Sequence, residues 1–194
     1  MYSLNVKSLY SEIIAYISRA HSNMTPAQTD DLFALRAAGK DVVEAIKDTK
    51  HLQKNLHLYR GSANPAIATE YNTIRLELAA VLRALDSVRE RGDDSAAILS
   101  LDGLKMEMKE NDKRLLARLD ELVRKNRISA QMATSLINDS NYAYGVTKNL
   151  VKMGEILFSA GHTGIRSAER SLSLDVDEVE QLLTETQTNI EERR

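Results

Sequence analysis

Hydrophobic positions in this chain recur every three or four residues, the spacing of an amphipathic helix. "LNVKSLYSEIIAYISRA" places Val6, Leu9, Ile13, Ile17 and Ala20 on one stripe. "TPAQ", residues 25–28, reads as a helix start, with Thr25 as N-cap, Pro26 in the first helical position and Gln28 closing a capping box. No strong breaker follows until about Tyr59, so the pattern predicts one helix on the order of 50 Å long. "RGSANP" ends it, and Asn64-Pro65 starts a third helix carrying Ile74, Leu78, Val81, Leu82 and Leu85. "RERGDD" at 89–94 is the next loop and the expected midpoint of the molecule.

The second half repeats the layout. "AAILSLDGLKMEMKENDKRLLARLDELVRKNR" reads as helix, with an irregularity expected at Asp102-Gly103. Ser129 then caps a helix through about Phe158, "AGHTG" breaks it, and Asp175 with Glu178 starts a sixth. "TPAQTDDLFAL" and "SAQMATSLI" each follow a loop and open the middle helix of a set of three. The expectation is an all-α chain with an internal repeat, residues 1–91 and 92–194. Long helices joined by short loops pack as antiparallel neighbours.

Composition sharpens that picture. Of 194 residues, 43% are hydrophobic and 28% charged, too apolar for disorder. Eight glycines and two prolines are too few to punctuate a sheet protein, whereas good helix formers abound. The formal net charge of −2 gives no reason to expect nucleic acid, because no strongly basic patch can be read from the sequence. The absence of cysteine excludes disulfides, thiolate metal sites and cysteine nucleophiles. No apolar run approaches the roughly 18 residues that span a bilayer, so the chain is expected to be soluble, without direct membrane insertion.

Candidate chemistry centres on "VVEAIKDTKHLQKNL", residues 42–56. Glu44 and Asp48 stand one helical turn apart, a like-charge pair that costs roughly 0.2–0.5 kcal/mol. Glu44, Asp48 and His51 fall within roughly 60° on the helical wheel, with Lys40 on the same stripe. Leu35, Val42, Ile46, Gln53 and Leu56 cluster opposite and are expected to form the core face, which turns the acids outward. Two carboxylates and an imidazole are ligands suited to Mn, Fe or Zn. The competing reading is a solvated face on which Lys40 and Lys47 neutralise Glu44.

The second unusual stretch is "NDSNYAYGVTKNL", 138–150. Ile137, Tyr144, Val151 and Phe158 form a heptad stripe beside a stripe of small residues, Ser140, Thr147 and Gly154. Close helix contact, with Asn and Tyr hydrogen-bonded across the seam, is one reading. A polar partner-binding surface of Asn138, Asp139 and Tyr142 is the other. His21, His57 and His162 are scattered, phosphate-loop and dinucleotide glycine motifs are absent, and "ExxH" occurs nowhere, so no catalytic constellation is legible.

The residues do support a resemblance. The first half resembles a PhoU repeat, whose long second helix carries a Glu/Asp-x-x-x-Asp motif; Glu44 and Asp48 match its acids, with the motif's usual glycine replaced by Lys47. "ISAQMATSLINDSNYAYGVTKNLVKMGEILF", with "KHLQKNL" and "EYNTIRLEL", resembles the cytosolic PhoU-like tail of bacterial sodium/phosphate cotransporters. The likeness covers roughly residues 8–160. The second repeat lacks the acidic motif: Asn138/Tyr142 or Lys148/Lys152 stands in its place. The resemblance implies a regulator of phosphate uptake at the inner face of the plasma membrane. It would contact the transmembrane part of a phosphate transporter, or a second copy as a homodimer, and could hold a divalent Fe, Mn or Zn ion near Glu44 and Asp48.

Overall fold

The computed structural model describes residues 5–20, 24–91 and 95–158, and among these every regular element is helical. The helices are α1 (Lys7–Ala20), α2 (Pro26–Arg60), α3 (Pro65–Arg91), α4 (Ser95–Arg124) and α5 (Ala130–Phe158). The sixth helix expected from Asp175, the "AGHTG" break and His162 lie outside the described residues, as do His21 and the glycine of the "RERGDD" loop.

The helix boundaries follow local chemistry. At the start of α2 the Thr25 amide donates to Gln28 Oε1 (3.0 Å) and the Gln28 amide donates to Thr25 Oγ1 (3.3 Å), while Pro26 gives up an amide that no helix turn could use. Asn64 caps α3 through Oδ1, which accepts from the Ala66 amide at 3.0 Å. Ser129 Oγ accepts from the Met132 amide at 3.1 Å and caps α5. Caps of this kind contribute about 1 kcal/mol each. At the end of α4, Asn126 takes a left-handed φ of 53°, and the Arg127 amide reaches back to the Leu122 carbonyl at 2.8 Å. That geometry closes the helix and turns the chain toward α5. The irregularity expected at Asp102-Gly103 does not occur. Gly103 is exposed with open space around it, so α4 runs straight through at no cost beyond the helix penalty of glycine, about 1 kcal/mol.

Helix α5 is the shared partner of α2, α3 and α4, and α1 leans on α2. Contacts fix the directions. His51, Asp48 and Asp41 of α2 lie beside Tyr142, Gly145 and Lys152 of α5, so this pair is antiparallel. Tyr71 and Leu85 of α3 meet Asp139 and Gly154, so α3 runs parallel to α5. The core is built from heptad positions: Ile67, Ile74, Val81 and Val88 on α3 face Leu101, Met108 and Leu115 on α4, all buried. The sequence placed α1's apolar residues on one stripe, but the structure divides them. Ile17 is buried and Tyr10 touches Gly39, whereas Leu9 and Ile13 are exposed. No helix among the described residues is long and apolar enough to cross a membrane.

Candidate functional site

The core face of α2 differs from the one its leucines and isoleucines suggest. Leu35 is 55% exposed, and the buried residues are Ala38, Ala45 and Leu52. Continuing the alternation of three and four gives Ala38, Asp41, Ala45, Asp48, Leu52 and Asn55 as the line that meets α5. The inward face is therefore rotated toward the acids. Alanine lets two helix backbones approach closely, and an aspartate at the edge of such a seam buries its stem while keeping its carboxylate near solvent. A wheel weighted by large apolar side chains misses both effects.

Asp48 sits where the acids were expected to point away. Its carboxylate occupies the space that any side chain at position 145 would need, and Gly145 provides that space. Burial raises the Asp48 pKa, the Glu44 charge raises it further, and Lys47 and His51 oppose the shift. Glu44 is ion-paired with Lys47 at 3.0 Å. His51 is exposed and stacks on Tyr142, the ring centroids 5.0 Å apart and the planes within 16°. Two turns from Asp48 toward the α2 N-terminus, Asp41 is also raised by burial, countered by Lys152 from α5 and Lys40 from α2. Asp48 and Tyr142, which the sequence assigned to separate clusters, thus lie on one seam, with His51 stacked on Tyr142 beside them.

The other predicted residues divide. Asn138 is exposed, and Asp139 is 2% exposed, inside the bundle and away from any surface. Tyr71 Oη donates to Asp139 Oδ2 at 2.6 Å and Asn55 donates a second hydrogen bond. Tyr59 stacks on Tyr71 at 4.9 Å. Burial raises the Asp139 pKa against the pull of both hydrogen bonds, and burial beside that carboxylate raises the Tyr71 hydroxyl. Among the described residues, Asp139 is held by two neutral donors, Tyr71 and Asn55.

On its opposite side α5 borders a second polar region that no motif announced. Arg118 donates to Glu70 at 2.8 Å, Asn111 to Glu77 at 2.8 Å and Ser140 to Asp112 at 2.6 Å. These groups line a cleft of about 20 Å³, room for about one water and too small for an organic substrate. Burial raises the Glu77 pKa, and the Asn111 hydrogen bond opposes the shift. The one sequence signal was a pair of glutamates seven residues apart, beside the buried heptad line of α3.

The metal-ligand reading can be set against this geometry. Among the described residues no group of three or more His, Cys, Asp and Glu side chains gathers as a cation-binding set. Glu44 is turned to Lys47, His51 to Tyr142 and Asp48 into the seam, so these three do not fit a shared ion as they stand. Compared with known proteins, the chain matches no family model, no curated protein and no solved structure.

Proposed function

We propose that the chain is a non-catalytic helical regulator whose working part is the packing of α2 on α5. It acts as a PhoU-like cytosolic domain of a sodium-dependent phosphate transporter, or as its free-standing relative. It modulates phosphate uptake by helix-face contacts with the transporter's transmembrane part. The observation that supports this reading is the seam itself, where Asp41, Asp48 and Asn55 stand at heptad positions that apolar residues fill elsewhere in the bundle. Polar groups at such positions specify the register of a packing while lowering its stability below that of an apolar seam. A partner can then shift the balance by binding two packings with different affinity, and only by that difference.

Sodium-dependent uptake of labelled phosphate is the test. Deleting the gene is expected to change uptake several-fold; the wild-type chain restores it, and a folded Asp48→Arg chain does not. Uptake that ignores the deletion sinks the reading. A second reading, a metal-free helical adaptor, is favoured by the Glu44–Lys47 ion pair and the His51–Tyr142 stack. Metal analysis separates the two. Stoichiometric Fe, Mn or Zn that disappears in the Glu44→Ala, Asp48→Ala double variant supports an ion-linked regulator. A metal-free wild type that still binds its partner supports the adaptor.

A further inference from the structure

The near-zero net charge hides an uneven distribution. On the side of α2 opposite the α5 seam, the same alternation of four and three residues runs through Arg36, Lys40, Val43, Lys47, Lys50, Lys54 and His57, and the six basic residues among them are exposed. This stripe is about 30 Å long at the rise of an α-helix. The acids of the same stretch are placed elsewhere. Asp41 and Asp48 are drawn into the seam, and Glu44, at the stripe's edge, is neutralised by Lys47. Folding therefore sorts α2 into an acidic inner edge and a basic outer one, a separation invisible in the total of −2.

We infer that the outer face of α2 is a docking surface for an anionic lipid bilayer, lying along the headgroups without entering the hydrocarbon. Charge complementarity selects an anionic partner. The residue type selects its class. Four of the six groups are lysines, compact hydrated point charges on flexible stems. Lysine is depleted from protein–protein interfaces, where arginine and aromatic side chains predominate. No Phe, Tyr or Trp alternates with these basic side chains to stack on nucleobases, as single-stranded nucleic acid would require. A straight row of exposed basic side chains suits a fluid, flat, unpatterned surface, where each lysine or arginine gains attraction to the summed surface charge. The docking does not depend on the transporter reading, and it places α5 and its cleft on the far side of α2 from the lipid.

Sedimentation of the full chain with vesicles tests this. Binding to phosphatidylglycerol/phosphatidylcholine vesicles is expected, falling steeply from 50 to 500 mM salt as screening shortens the reach of each charge from about 10 Å at 0.1 M. Binding to pure phosphatidylcholine is expected to be absent. Lys40→Gln with Lys54→Gln should weaken binding on the order of 25-fold, about five-fold per lysine. Arg114→Gln on α4 with Lys125→Gln in the turn after it, the same charge change away from α2, should leave it unchanged, with circular dichroism confirming equal helicity in all chains. Equal binding to neutral vesicles, or loss of binding in the α4 variant to the same degree, overturns the proposal. So does salt-sensitive binding to poly-glutamate or duplex DNA with none to the anionic vesicles, which would assign the stripe to an acidic macromolecule.

Discussion

The two sides of α5 treat carboxylates in opposite ways. Toward α4, Glu70, Glu77 and Asp112 each meet a donor from a different helix, so the hydrogen bonds tie α3, α4 and α5 together. Toward α2, Asp48 is attended by its own helix neighbours and wedged against bare backbone at Gly145. The first arrangement holds three rods in one place. The second leaves a contact whose acid can withdraw into water without abandoning a partner across the seam. Similar residues thus make fastenings on the α4 face and, at Asp48, an adjustable contact on the α2 face, where the Asn55–Asp139 hydrogen bond is the tie across the seam.

Two glycines of α5 give the sharpest test of this difference. Gly154 is buried, and a side chain there would run into Leu85 and Leu101 in the apolar core. Gly154→Val is expected to cost about 3 kcal/mol by overpacking, read by urea denaturation. Gly145→Ala meets only the flexible end of Asp48, and alanine gains about 1 kcal/mol of helix propensity. Its stability should stay close to wild type while the Asp48 carboxyl, pushed outward, titrates lower in an NMR experiment. Equal losses at the two positions would erase the distinction between the seams.

Next in size is Tyr71→Phe, which removes one of the two donors that hold buried Asp139 and should cost about 1–2 kcal/mol. Ser140→Ala, at the half-buried Asp112 on the cleft side, should cost less, about 1 kcal/mol. Denaturation of both variants at one pH checks the order.

Acidity provides the gentlest probe. Asp41, Asp48, Glu77 and Asp139 all have pKa values raised by burial. A carboxyl that binds its proton more tightly in the folded chain stabilises fully below its unfolded value, about 4, and loses that contribution as pH climbs through the folded value. Stability is therefore expected to fall gradually as pH rises above about 4, and Asp139→Asn should flatten the fall. A wild-type stability that increases steadily from mildly acidic to mildly basic pH contradicts the burial of these acids.

Much of the bundle was legible in the chain. Thr25-Pro26, Asn64-Pro65 and Ser129 announce helix starts because caps are local chemistry, and the structure uses each of them. The rotation of α2 was not legible. It depends on which α5 residue lies opposite Asp48, and residue 145 is nearly a hundred positions away. The Glu70–Arg118 and Glu77–Asn111 pairs escaped for the same reason, since their partners come from separate helices. Asp139 was singled out for its polarity and placed on a surface, but Tyr71 and Asn55 satisfy it inside. The value of a polar residue to the fold is decided by its neighbours in space, which helical spacing does not specify.

The bare backbone at position 145 also indexes one rod against the other. Sliding α2 by a turn would bring the Asp48 carboxylate level with Asn141 and Tyr142, or with Lys148 and Asn149, each of which carries a side chain where the acid must go. A single missing methyl thus serves as a detent, allowing the two helices to tilt or separate while discouraging them from sliding.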